Sequence, residues 1–403
     1  MAKPPREVAD IFRIHGQTYR EKYPISPDQR RVMQAIEICR TAALGGHVDR
    51  CDECGHQVIS YDSCRNRHCP KCQSLAKARW LQARRQEILP TEYYHVVFTL
   101  PDQLASLALQ NKSIVYSILF HATAETLLTI AADPMHLNAK IGFLAILHTW
   151  GQNLLHHPHL HCLVPGGGIS PDGLRWVACR KGFFLPVHVL SRLYRRLFLT
   201  ELNNAYQKGS LEFHGNLKHL SEPKHFDRLL QSARSLDWVV YAKPPFAGPE
   251  KVLDYLSRYT HRIAISNHRI LKLEGESVSF KWRDYRHGRK QRVMTLNVDE
   301  FIRRFLLHVL PASYVRIRYY GFLANCHRSK LLKLCRTLLG VMQSSETQLP
   351  ESHDWATLLE SFTGTDPLCC PKCKKGRLIR FDVFTASDKH HANLRAPPIP
   401  NML

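Results

Sequence analysis

His156-His157-Pro158-His159-Leu160-His161-Cys162-Leu163-Val164 leads from a cluster of histidines into an apolar run, which Pro165-Gly166-Gly167-Gly168 closes. A short apolar run with a glycine-rich exit predicts a buried β-strand. Side chains alternate faces along a strand, so His159 and His161 share one face while Leu160 packs behind them. Two imidazoles side by side make a candidate site for a divalent metal that stays open to substrate. His148, Gln152, His156, His157 and His261 are candidate third ligands, and spacing does not choose among them.

The flanking sequence predicts a sheet around that strand. His95-Val96-Val97-Phe98-Thr99-Leu100 reads as a strand that Pro101 ends, and Gly142 to His148 reads as a second buried strand. Helices are expected over about 103 to 133, and a basic helical region over about 186 to 235. Asp172-Gly173 marks a hairpin turn, and Trp238-Val239-Val240-Tyr241 returns to strand. Residues 268–296 read as a three-strand meander with turns at Glu274-Gly275-Glu276 and His287-Gly288-Arg289. Its basic stretches, Lys281-Trp282-Arg283 and Arg286 to Arg292, read equally as a single-strand-binding surface or a solvated hairpin. Strands and helices mixed without strict alternation predict an α+β fold with an antiparallel sheet. The most apolar long stretch, Ser113 to Ala132, carries His121 and Glu125 and reads as a buried amphipathic helix rather than a membrane span.

Gly248-Pro249-Glu250 is a helix start, with Pro in the first turn and an acid beside it. The helix that follows carries Tyr255-Leu256-Ser257-Arg258-Tyr259-Thr260-His261-Arg262. A spacing of four puts Tyr255 and Tyr259 on one face, with Cβ atoms about 5–6 Å apart. Arg258 and Arg262 repeat at the same spacing and are candidate phosphate ligands. Lys plus Arg number 56 against 34 Asp plus Glu, a formal charge of +22 spread along the 403 residues. That excess points to a polyanionic partner, most simply nucleic acid.

A metal site and a tyrosine nucleophile together suit one reaction: attack on a phosphorus of single-stranded DNA, leaving a 5′-phosphotyrosine and a free 3′-hydroxyl. The ester is conserved, so the joined end can pass to another 3′-hydroxyl without ATP. Phosphate oxygens beside imidazoles favour Mg²⁺ or Mn²⁺ over zinc at this site. Gly166-Gly167-Gly168 has no Lys-Ser/Thr after it and reads as a turn, not a nucleotide loop.

Towards the N-terminus, residues 1–45 read as helical and basic, with Ser26-Pro27 starting a helix and Gly45-Gly46 closing it. Cys51-x-x-Cys54 and Cys69-x-x-Cys72 follow, fourteen residues apart, close to zinc-ribbon spacing. Two such knuckles complete a tetrahedron around a structural Zn²⁺. Cys64 and His68 are surplus to it and, with His47 or His56, are candidates for a second ion. Arg65, Arg67 and Lys71 make the module a candidate DNA reader, and a basic helix is expected over Ala76 to Ile88. Cys369-Cys370-Pro371-Lys372-Cys373 is a further single knuckle, with Cys326, His327 or Cys335 as candidate partners. The 13 cysteines, without an export signal at Met1-Ala2-Lys3, favour metal over disulfides and a reducing, cytoplasmic setting.

These motifs, in this order, resemble the IS91-type transposases. The stretch Cys51-Asp52-Glu53-Cys54-Gly55 through Cys64 and His68-Cys69-Pro70-Lys71-Cys72 is similar to their N-terminal zinc domain. His148-Thr149-Trp150-Gly151-Gln152 through His159-Leu160-His161 is similar to their HUH motif, and Tyr255 through Arg262 to their tyrosine helix. The resemblance runs from about residue 25 to 330. It implies a ferredoxin-like HUH nuclease core with a zinc-ribbon-like module and helical additions. It also implies rolling-circle transposition, with Tyr255 and Tyr259 as nucleophiles and His159 and His161 as metal ligands. The expected segments are a basic helical one (1–46), the zinc module (47–90), the catalytic domain (91–330) and a tail with the last knuckle (331–403). The expected partner is DNA at element ends and target, single-stranded and in part duplex, with no membrane and a nucleoid-associated, bacterial-type location. The alternatives are a plasmid replication initiator or relaxase of the same chemistry, a non-catalytic zinc-dependent DNA-binding protein, and a two-metal phosphodiesterase.

Overall fold

Strand β5 (His156–Pro165) is the middle strand of a five-stranded sheet of order β12-β4-β5-β3-β8, in which every neighbouring pair is antiparallel. Its companions are β3 (Tyr93–Thr99), β4 (Gly142–Trp150), β8 (Val240–Phe246) and β12 (Ile317–Gly321). The computed structural model describes residues 6–182, 184–246, 252, 263–284, 288, 290–341 and 355–386. Two compact units divide the chain, one made of 83–260 and 310–347, the other of 1–82, 261–309 and 348–403.

In the first of these units, alternation sorts the sheet into two unlike faces. Tyr94, Val96 and Phe98 of β3, Phe143, Ala145 and Leu147 of β4, and Leu160, Cys162 and Val164 of β5 all enter one apolar core. Helices α5 (Lys112–Ala132) and α6 (Val187–Gln207) close that core with Tyr116, Leu119, Phe120, Tyr194 and Phe198. The opposite face carries His95, Leu144, Ile146, His148, His159 and His161, by the pairing of His159 with both Thr99 and His148 and of His161 with Val97 and Ile146. α5 differs from the expected amphipathic helix. Buried residues occur all round it, from Val115 and Tyr116 through Thr123 and Ala124 to Leu127 and Ala131, as in the central helix of a core. By length and composition it could cross a membrane, but 67% of its most apolar window is buried inside the fold.

The other unit is assembled from distant segments. α1 (Val8–Lys22) and α2 (Pro27–Glu37) pair, held by the Arg20–Glu37 ion pair at 2.6 Å. Ser26 caps α2 through a reciprocal box with Gln29. α8 (Val298–Leu307) sets Phe305 edge-on to Phe12 at 5.3 Å. The meander β9 (Ile270–Glu274), β10 (Ser277–Asp284) and β11 (Lys290–Asn297) forms one sheet. β1 (Gly46–Cys51), β2 (Gln57–Tyr61) and β13 (Leu378–Phe384) form another, with β1 in the centre. The described residues of 263–309 group with the N-terminal elements, and those of 310–341 with the five-stranded sheet. Such long-range pairing leaves no local signature in sequence.

Candidate active site and metal centres

His148, His159 and His161 place one ring nitrogen each within 4.8 Å of one another. His148 of β4 lies directly opposite His159, and its ring stands edge-on to those of His159 and His161, at centroid distances of 5.6 and 4.4 Å. Among the described candidates for a third ligand, His148 joins the pair. His156 instead meets the Tyr116 hydroxyl at 2.7 Å, and burial pulls its pKa down to about 4. His157 points towards Asp102 at 3.6 Å. Gln152 lies in the β4–β5 loop, and His261 lies outside the described residues.

Hydrogen bonds through Nδ1 orient two of the three rings. His159 Nδ1 is 2.7 Å from the His157 carbonyl oxygen, so it carries the proton and donates. His161 Nδ1 lies 2.8 Å from His95 Nε2, and the two rings stack at 5.0 Å. Burial, then the nearby Lys243 charge, drives the His95 pKa down to about 3, so His95 is neutral and able to accept from His161. Neutral imidazoles are the form in which histidine binds a metal. His95 is absent from the sequence expectation because only the β3–β5 register brings it to His161. Its own stretch shows nothing but a strand.

The tyrosine segment, Tyr255 and Tyr259 with Arg258 and Arg262, lies outside the described residues, as does the expected helix start at Gly248-Pro249.

The cysteines form two groups, and both differ from the expected ribbon. Cys69 and Cys72 join Cys64 and Cys39, and Cys51 and Cys54 join Cys370 and Cys373. In the first group the sulfur pairs Cys39–Cys72, Cys64–Cys72 and Cys39–Cys69 are 3.4, 3.5 and 3.5 Å apart. Four thiolates at the usual Zn–S bond length sit about 3.8 Å apart at the corners of a tetrahedron, whereas a disulfide needs about 2 Å. The group therefore fits a structural Zn²⁺. Cys39 was missed because it belongs to no knuckle. α2 ends at Glu37, well before the expected Gly45-Gly46, and a turn with Arg40 in the left-handed region delivers the buried Cys39 to the cluster.

His68 and His47 join neither group. The His68 amide donates to Asn66, and His47 contacts Asp49 at 3.3 Å. The suggested partners of the last knuckle lie elsewhere: Cys335 is buried beside Leu89, Phe322 and Leu332, and Cys326 is exposed. Of the expected DNA contacts, Arg65 is exposed, and Lys71 is paired with Glu7. Arg67 is half-buried, which lowers its pKa.

Comparisons place the chain among transposases. Residues 142–330 match the family model described as "Putative transposase", and residues 11–100 match "Transposase zinc-binding domain", which contains all of the first cysteine group. The chain is 60% identical over 387 residues to "Putative transposase y4qJ" of Sinorhizobium fredii, covering 95% of this chain and 97% of that protein. It is 26% identical over 367 residues to "Transposase for insertion sequence element IS801" of Pseudomonas savastanoi pv. phaseolicola, covering 90% of this chain and 86% of that protein. A solved conjugative relaxase, TrwC in complex with mutant OriT DNA, matches 40% of this chain and 70% of its own at 15% identity. Its TM-score of 0.22 is too low to bear on the fold.

Proposed function

The chain belongs to the IS91-type transposases, and we propose that it nicks and transfers single-stranded DNA at insertion-sequence ends by HUH-type tyrosine chemistry. The observation that carries this reading is the grouping of His148, His159 and His161 on one sheet face, two of them oriented through Nδ1. These three residues would hold a divalent cation. When bound, the cation would polarise the scissile phosphate and offset charge developing on its oxygens. Three imidazoles rank Mn²⁺ ahead of Mg²⁺, which prefers an all-oxygen shell.

The protein's own groups supply the rest. His95 and the His157 carbonyl hold two of the ligating rings in one tautomer and orientation. Tyr255 or Tyr259 attacks phosphorus. The new bond joins the phenolic oxygen to the 5′-phosphate, the bond to the 3′-oxygen breaks, and that oxygen takes up a proton. The reverse attack by a second 3′-hydroxyl completes strand transfer, and two tyrosines would allow the two ends to be held in turn. Arg258 and Arg262 would steady the flanking phosphates. Arg65 in the zinc module, with the exposed Lys281, Arg283, Lys290 and Arg292 of the β10–β11 ribbon, supplies positive charge for DNA.

The test is incubation of the purified protein with labelled single-stranded element ends, in Mn²⁺ or EDTA, followed by a denaturing gel. We expect a Mn²⁺-dependent covalent protein–DNA band, absent from Tyr255→Phe/Tyr259→Phe and from His159→Ala/His161→Ala. A protein that binds the ends yet gives no band would instead be a zinc-dependent DNA-binding protein without catalysis.

A further inference from the structure

The second cysteine group lies half outside the zinc-binding domain match, which ends at residue 100. Cys51 and Cys54 meet Cys370 and Cys373 across more than three hundred residues of chain, with Cys51–Cys373 and Cys54–Cys370 sulfur separations of 3.7 Å each. That is the edge of a tetrahedron of thiolates around zinc, about 3.8 Å, and far beyond a disulfide bond.

Both halves have the local geometry of a metal knuckle. The Cys54 amide donates to Cys51 Sγ at 3.5 Å, and the Gly376 amide donates to Cys373 Sγ at 3.3 Å. Amide donors aimed at sulfur stabilise thiolates, which is the form a metal binds. Backbone pairing locks the halves together. Cys51 pairs with Leu378 at the end of the β1–β13 ladder, and Asp52 Oδ1 accepts from the Arg377 amide at 2.7 Å. Gly376 is required at this crossing, since a methyl group there would fall 2.5 Å from Cys51 Sγ. Lys372, Lys374, Lys375 and Arg377 flank the knuckle and would offset the double negative charge of a zinc tetrathiolate.

We infer that Cys51, Cys54, Cys370 and Cys373 form a second structural zinc site, which clasps the C-terminal strand β13 to β1 and makes residues 366–384 an integral part of the N-terminal zinc module. Four thiolates suit zinc or iron, and zinc is favoured because the match to a zinc-binding domain covers Cys51 and Cys54. The site is independent of the nuclease reading, since none of its ligands belongs to the histidine cluster.

Metal content of the full-length protein, measured by plasma mass spectrometry in a His159→Ala/His161→Ala background, decides the matter. That background keeps the imidazoles from contributing metal. Two zinc ions per chain are expected, falling to one in Cys370→Ser/Cys373→Ser and likewise to one in Cys64→Ser/Cys69→Ser. In cobalt-loaded protein, the thiolate charge-transfer absorption should halve in each variant. One zinc per chain before any cysteine is changed, two retained after Cys370→Ser/Cys373→Ser, or iron in the site would overturn the inference. Should a serine variant fail to fold, the stoichiometry and cobalt absorption of the protein with its cysteines intact still decide it.

Discussion

The two units of this chain are built on different physical bases. The unit made of 83–260 and 310–347 is organised by a large apolar core, in which Phe98, Phe120, Phe143, Tyr194 and Phe198 are fully buried between one sheet face and two long helices. The unit made of 1–82, 261–309 and 348–403 gathers three separate chain segments, with eight cysteines in two groups of four. A core holds its elements through area removed from water, and many residues share the load. A thiolate cluster concentrates the load in one ion, so small elements such as β1, β2 and β13 need little core of their own.

Removing metal should break this comparison most sharply. Structural zinc sites contribute on the order of 10–16 kcal/mol of apparent binding free energy at neutral pH, which is comparable to a typical domain's whole stability. Chelation under mild denaturant should therefore unfold the cysteine module and leave the five-stranded sheet in place. Limited proteolysis followed by mass spectrometry would read this as new cuts within residues 39–72 and 366–384, with 93–170 still protected. Cuts appearing equally in both regions would mean that the units do not differ in this way.

The reciprocal change acts on the core. Phe198→Ala removes a fully buried ring that packs on Tyr194 and Trp238 at centroid distances of 6.1 and 5.2 Å. The expected cost is about 3–5 kcal/mol. Denaturant unfolding followed by circular dichroism should show that loss, while zinc content per chain stays unchanged. A fall in zinc content would show that the core also governs the metal-bound unit.

How far the sequence could be read follows the same division. Elements of the core-built unit announce themselves locally. Alternation around His159-Leu160-His161 correctly places the two histidines opposite Leu160, and the Pro101 and Gly166 boundaries lie within two residues of the strand ends. What could not be read there was register, which alone brings His148 and His95 to the pair. The metal-built unit was read less well. Knuckle spacing marks Cys51, Cys54, Cys69 and Cys72 as ligands, but nothing local says which knuckles share an ion. The nearest partner in sequence was therefore the natural assignment, whereas the partner in space is Cys370-Pro371-Lys372-Cys373 at the other end of the chain. Cys39, just past α2, has no spacing signature at all.

The smallest effect sharpens the contrast by measuring an ordinary interaction in a metal-built setting. Ser26 accepts from the Gln29 amide at 3.3 Å, and the Gln29 side chain accepts in return from the Ser26 amide at 2.9 Å. Ser26→Ala removes the first of these bonds and should cost about 1 kcal/mol of helix stability. In a core-built unit that loss would appear as a lower unfolding midpoint. Here α2 runs into Cys39, so ordering the helix and forming the first zinc site are linked. Where ligand binding and folding are one equilibrium, the same free energy appears as weaker metal affinity. A competitive zinc titration should find affinity lowered about fivefold, the equivalent of 1 kcal/mol at room temperature. Unchanged zinc affinity with a lowered unfolding midpoint would show that α2 is held by its packing against α1, and that Cys39 is delivered to the cluster whether or not zinc is bound.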